Sequence, residues 1–374
     1  MNRRSFLQST AAFASLPSLA PFASKLSIKQ DQAKTIYRDS IVIDCLASPA
    51  AFNIPWPPVG PLSEEQLKNV RECGITAVNL TVSAPEFEKT VRNVAFWTNE
   101  VRTHNDAMML VRDLADFAEA KKSKRLGVIL GFQHSEMLGR DLSRIEMFKN
   151  LGVRIIQLTY NRRNLLGDGC LEPGNGGLSK LGREAVEQMN AQGLAVDLSH
   201  CNTQTTADGI AVSSKPVIIS HSGCREVYQN PRNKEDRELR AMTEKGGVIG
   251  IFLMPFLGND GSPYANKEMF FAHLKHALNV CGSDHVGVGS DLSITPVEET
   301  PEYLKTWREG GAIRKRLGIQ APDEAGRFPY LPDLNSPRRL ELIAIEMEKR
   351  GDSAGTIEKV LGKNFLRAFG EIWN

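Results

Sequence analysis

Two histidines end two strand-like apolar runs, Leu194-Ala-Val-Asp-Leu-Ser-His200 and Pro216-Val-Ile-Ile-Ser-His221-Ser. A neutral imidazole offers one lone pair to a metal ion and can also carry a proton, so two at one place suggest a metal centre or an acid/base site. A carboxylate, Asp291, follows another apolar run in Gly287-Val-Gly-Ser-Asp291. Beside a metal-bound water, a carboxylate can take the proton and hand it to a leaving group. Read singly, each histidine is a core or loop residue and Asp291 a helix cap. Their shared position at strand ends is what points to chemistry.

The elements that must position these groups follow from periodicity. Strands are expected at Ile41–Ala47, Ile75–Val82, Leu126–Phe132, Arg154–Tyr160, Leu194–His200, Pro216–Ser222, Gly247–Met254 and His285–Leu292. Helical patterns lie between them, at Glu86–Lys121, Arg144–Leu151, Lys180–Gln192, the stretch from Thr203 to Ser214, Lys234–Lys245 and Lys267–Val280. Gly152, Gly193, Gly246 and Gly282 supply stops just past helix ends. Eight such repeats predict a (β/α)₈ barrel, in which residues after strand C-termini share one mouth. That mouth would gather Asp44, Ser48, Gln133, Tyr160, His200, His221 and Asp291. The Pro-rich stretch Asn53–Pro61 and the segment Thr295–Asp333 read as loops or small insertions over it. The region Ser336 to Trp373 is expected to pack Leu340, Leu342, Ile343, Ile345, Leu361, Phe365 and Phe369 onto the barrel.

Composition limits the partners. The chain has 374 residues, 41% hydrophobic and 24% charged, enough for one large α/β domain and with no apolar run long enough to span a membrane. Asn2-Arg3-Arg4-Ser5-Phe6-Leu7 followed by a weakly apolar stretch reads as a twin-arginine export signal over residues 1–24, leaving residues 25–374 as the barrel with its C-terminal helices. The expected location is the periplasm, reached through the twin-arginine machinery. Residues 1–24 hold two arginines and no acids, so their removal takes the formal charge from +2 to 0. A neutral protein gives no reason to expect nucleic acid or an anionic membrane as a partner. The six cysteines have no metal-type spacing, and a protein exported already folded needs no disulfide framework.

Six motifs together resemble the membrane (renal) dipeptidase family of zinc peptidases over nearly all of the chain after residue 24. They are Val196-Asp-Leu-Ser-His200, Pro216-Val-Ile-Ile-Ser-His221-Ser, Pro231-Arg232-Asn233, Gly246-Gly-Val-Ile-Gly250, His285-Val-Gly-Val-Gly-Ser-Asp291 and Leu361-Gly-Lys-Asn-Phe-Leu-Arg367. The resemblance implies a (β/α)₈ barrel, zinc ligands at His200 and His221, an acid/base at Asp291 and a carboxylate-gripping arginine at Arg232. Arginine suits that task because its planar fork holds a carboxylate in two parallel hydrogen bonds. The family often dimerises, so a homodimer is an open expectation.

The chain also departs from the family. Where a strand 1 motif Asp-Gly-His-x-Asp is expected, it reads Asp44-Cys-Leu-Ala-Ser48, with Leu46 and Ser48 in place of ligands and, by strand alternation, Cys45 pointing away. Gln133 replaces a bridging glutamate, and Tyr160 replaces a histidine but could donate to an oxyanion. One zinc is therefore expected, through His200, His221 and a weaker third group such as Gln133, Asp291 or water. The expected activity is hydrolysis of an amide in a small carboxylate-bearing substrate such as a dipeptide. A binding protein without turnover and an altered lyase or isomerase reaction are the alternatives. His273 and His276 read as an outer-helix face, His104 and His285 as remote from the mouth, and His134 as able to reach it from a loop; Phe52 and Trp56 could line a pocket.

Overall fold

Parallel strands close on themselves in the computed structural model, which describes residues 32–51 and 60–374. The export signal, Phe52 and Trp56 lie outside the described residues. The barrel strands are β1 (Ile43–Asp44), β2 (Ala77–Thr81), β3 (Leu126–Phe132), β4 (Val153–Gln157), β5 (Ala195–Asp197), β6 (Ile218–Ser222), β7 (Val248–Ile251) and β8 (Val286–Val288). β8 returns to β1 through the pair Val288 and Asp44, so the ring has no open edge there. Seven of these eight strands lie within their predicted runs, β4 starts one residue before its own, and the (β/α)₈ barrel is the observed fold.

The barrel is filled by one layer of branched and small side chains, Ile43, Ala77, Ile129, Ile155, Ala195, Ile218 and Val248. The C-terminal helix Asn364–Trp373 plugs that layer from one end with Phe365, Phe369 and Ile372, all fully buried. Burying each such side chain contributes about 1.5–3 kcal/mol, which ties the last turns of the chain to the stability of the whole ring. Leu340, Ile343 and Leu361 pack as expected, whereas Leu342 faces solvent at 37% exposure.

Three local readings need correction. The pattern Glu86–Lys121 is not one helix. It divides into Phe87–Thr103, a short strand Met108–Leu110 that pairs with the start of β3, and Leu114–Ser123. Asp113 begins the second helix by accepting from the Ala115 and Asp116 N–H groups. The first strand also breaks: Ala47–Ser48 pairs with Leu292–Ser293 in a separate two-stranded ribbon. Up to that break the alternation holds: Cys45 packs with Ile43 in the inner layer, and Asp44 between them instead accepts from Ser290 Oγ. Finally His273 is fully buried, its Nδ1 accepting from the Cys224 N–H at 2.8 Å; His276 does lie on the outer face.

Close backbone approach explains two glycines beside the mouth. A Cβ on Gly250 or Gly289 would fall 2.2 Å or 1.9 Å from the Ser220 carbonyl oxygen. Because the obstacle is backbone, no side-chain rotation relieves it. Gly289→Ala is expected to push β6 and His221 outward and to cost about 1–3 kcal/mol in urea unfolding. A variant as stable as the parent would show that β6 has slack.

Candidate active site

Register sets the two histidines at one level. Asp197 of β5 pairs with Ile218 of β6, and each histidine lies three residues further along the chain, His200 past the end of β5 and His221 within β6. After His200 the chain turns into the helix Thr203–Val212, whose first turn is capped by the Asn202 side chain accepting from the Thr205 N–H at 2.8 Å. His200 is thereby held on a turn at the mouth, with its ring directed at β6. The two Nε2 atoms face each other at 2.9 Å, and both rings are buried.

Each imidazole is tethered through its other nitrogen. His200 Nδ1 meets Asn161 Oδ1 at 2.6 Å, and His221 Nδ1 meets Ser220 Oγ at 2.7 Å. Ser220 Oγ donates in turn to Asp197 at 2.5 Å, and Asp197 also accepts from the Ser199 N–H and the Ser220 N–H. Burial pushes both histidines well below their ordinary titration range, and the Arg232 guanidinium adds to the effect on each. Neutral rings with outer nitrogens tied and inner lone pairs converging are the arrangement in which imidazole serves as a metal ligand.

Two more predicted residues, Arg232 and Tyr160, touch His200, and a third, Asp291, is buried after β8. Arg232, only 2% exposed, donates from Nη2 to His200 Nε2 at 3.0 Å and from Nη1 to the Ser199 carbonyl at 2.8 Å. Tyr160 stacks on His200 with ring centroids 4.2 Å apart, and its hydroxyl accepts from Arg314 Nη1 at 3.2 Å. Asp291, 6% exposed, follows β8 with a φ of 62°, a left-handed conformation that aspartate tolerates better than most residues. Its N–H donates to the Leu46 carbonyl at 2.8 Å.

The remaining candidates have their recorded partners elsewhere. Gln133 directly follows β3, its N–H donating to Ser83 Oγ at 3.2 Å and its carbonyl accepting from the Gln157 amide. His134 turns to Glu136 at 2.6 Å, a partner that competes with any role at the histidine pair. His285 bonds the Gly247 carbonyl at the opposite end of its strand, and His104 caps a helix beside Glu100. Leu46 and Ser48, where strand 1 ligands were missing, are both buried, and Ser48 Oγ accepts from the Ala50 N–H. Among the described residues, no third histidine, cysteine or carboxylate joins His200 and His221 in a cluster within 4.8 Å; the group of that kind is Glu226, Asp236 and His276.

Sequence reasoning missed Asn161, Ser220, Asp197 and Arg314 as parts of the site. Ser220 and Asp197 lie inside the two histidine motifs, so strand alternation could have turned them toward the barrel axis. Arg314, on the helix Pro301–Leu317, and Glu324, which holds its guanidinium, carry no local signal.

Residues 64–305 match the family model of membrane dipeptidase, peptidase family M19. Dipeptidase tcpJ of Claviceps purpurea is 28% identical over 271 residues, covering 72% of this chain and 56% of that protein. An uncharacterised dipeptidase of Schizosaccharomyces pombe is 33% identical over 248 residues, covering 64% of this chain and 59% of that protein. The chain thus spans a little over half the length of these curated relatives. Among solved structures, an amidohydrolase from Pseudomonas aeruginosa superposes with a TM-score of 0.77 at 30% identity, covering 91% of this chain and 99% of that one.

Proposed function

The chain belongs to the membrane dipeptidase family, peptidase family M19, and on that premise we propose a hydrolase that cleaves an amide bond in a small substrate bearing a free carboxylate, such as a dipeptide. The observation that carries this reading is the facing imidazole pair, His200 Nε2 and His221 Nε2 at 2.9 Å, with each outer nitrogen tethered.

Membership in this family implies a metal ion. The residues fit one ion and do not fit two: His200 and His221 offer convergent lone pairs, while Leu46, Ser48 and Gln133 supply neither an imidazole nor a bridging carboxylate. His200 and His221 would hold that ion, zinc being the expected one, and when bound it would supply a water activated near neutral pH. Asp291 would take a proton at its carboxylate and return it to the leaving amine. Arg232 would hold the substrate carboxylate with N–H groups that now rest on Ser199 and His200.

Tyr160 would steady the oxyanion. Its oxygen already accepts from Arg314, so its own O–H is free to donate. Tyr160→Phe is expected to lower kcat about 100-fold while KM moves less than about threefold, as for loss of one oxyanion donor. A change confined to KM would reassign the phenol to ground-state binding.

A panel of dipeptides with chromatographic product analysis tests the reading as a whole. Two products whose masses sum to the substrate plus one water support hydrolysis, and products whose masses sum to the substrate alone point to a lyase or isomerase. A ligand-binding role without turnover is favoured by one observation, the Arg232 N–H donated into the same His200 lone pair that an ion would use. Uptake of peptide without cleavage in the presence of zinc would select it. Export to the periplasm belongs to the same proposal; its support is the Arg3-Arg4-Ser5-Phe6-Leu7 sequence.

A further inference from the structure

The amide of Asn161 has only one consistent orientation. Its Nδ2 lies 2.7 Å from the Ile319 carbonyl oxygen, an atom that can only accept, so Oδ1 is the atom turned to His200 Nδ1 at 2.6 Å. Oδ1 can likewise only accept. The proton of a neutral His200 is therefore on Nδ1 and its Nε2 is bare. The Arg232 N–H directed at Nε2 from 3.0 Å agrees with that assignment.

Ile319 follows the helix Pro301–Leu317, and the same segment grips both neighbours of Asn161. Arg314 Nη1 donates to the Tyr160 hydroxyl at 3.2 Å, and Arg162 Nε donates to the Gly318 carbonyl at 2.9 Å. Glu324 closes the segment on itself, holding the Arg314 guanidinium and accepting from the Ala321 N–H at 3.0 Å. Tyr160 lies against the face of the His200 ring, and Asn161 holds its edge.

We infer that residues 301–324 are a positioning element for His200, fixing its tautomer through Asn161 and its ring plane through Tyr160. Asn161 and Arg314 are positioning residues, acting through groups that meet the substrate or the ion. The effect on turnover rests on the hydrolase reading above; the tautomer does not.

The tautomer is read directly by two-bond ¹⁵N–¹H correlation spectra of the full chain labelled in histidine and stripped of metal by chelator, with His200 assigned by comparison with His200→Gln. The parent is expected to show a protonated Nδ1 and a bare Nε2. Asn161→Leu keeps the volume and removes the acceptor, so His200 should become a mixture of tautomers, with kcat at least about 10-fold lower and KM within about threefold, the scale usual for losing a ligand's supporting partner. Asn161→Asp keeps an acceptor for Nδ1 but sets a second oxygen against the Ile319 carbonyl. Its His200 should retain the Nδ1 proton while amide exchange in residues 301–324 accelerates at least about 10-fold.

An Nε2-protonated His200 in the parent overturns the inference, and that spectrum needs no variant to fold. An unchanged tautomer in folded Asn161→Leu overturns it as well, as does loss of the Nδ1 proton in Asn161→Asp. The expected tautomers in a protein that cleaves no peptide would uphold the inference while removing the hydrolase reading.

Discussion

Metal content is expected to fall from about one ion per chain in the parent to none in His200→Ala/His221→Ala, with amide hydrolysis lower by at least about 10³-fold, since the ion and its water carry most of the catalysis in such sites. Mass spectrometry on protein purified without added metal gives the first number, and product release from a dipeptide gives the second. The double replacement is the cleaner form of the experiment. Ser220 still donates to Asp197 after His221 is gone, and Asn161 keeps its bond to Ile319 after His200 is gone, so the polar framework behind the pair survives. About two ions in the parent would mean that the β1 end contributes ligands despite Leu46 and Ser48. No ion in the parent, even with zinc supplied, would turn the pocket into a binding site whose cation is Arg232.

Which parts of this site can be read from the sequence follows from how each part is encoded. His200 and His221 are legible because they end apolar runs of similar length, and parallel register carries equal strand lengths to equal heights. Arg232 is legible only through resemblance, since a single arginine in a polar loop has no pattern of its own. Asn161 and Arg314 were not legible at all: the Asn161 bond to Ile319 spans 158 residues, and neither a hydrogen bond nor an ion pair leaves a periodic trace. The orientation of Cys45 is legible, because Ile43 and Cys45 alternate with Asp44 before the strand breaks and Ala47–Ser48 pairs with Leu292–Ser293. His273 was read outward because helical spacing paired it with His276. Its burial depends on a backbone N–H from Cys224 that no spacing rule anticipates.

Removing Arg339 is expected to be among the most destabilising single changes in the chain. Its side chain is fully buried, with Nη1 lying 3.9 Å from Asp44 Oδ2 and 3.2 Å from Ser290 Oγ, and with Nη2 on the Ser293 and Ile294 carbonyls. Arg339→Met keeps much of the volume and leaves Asp44 buried with its charge uncompensated, at a cost of about 3–5 kcal/mol in urea unfolding at pH 7.5. Acidity then separates the charge from the packing. Burial raises the Asp44 carboxyl from 3.8 to about 6, with Arg339 and the Ser290 hydrogen bonds pulling the other way. Because the native carboxyl binds its proton more tightly than the unfolded one, its penalty is full above about pH 6 and is relieved as the pH falls toward 3.8. Without Arg339 the native value rises further, so relief begins at higher pH and is larger. The gap between parent and variant should therefore narrow between pH 7.5 and pH 5, and Asp44→Asn should recover part of the loss in the double variant. A gap unchanged with pH would assign the cost to the Ser293 and Ile294 carbonyls instead. Those carbonyls flank the turn that carries Asp291, so the same variant should lose turnover even at a pH where it remains folded.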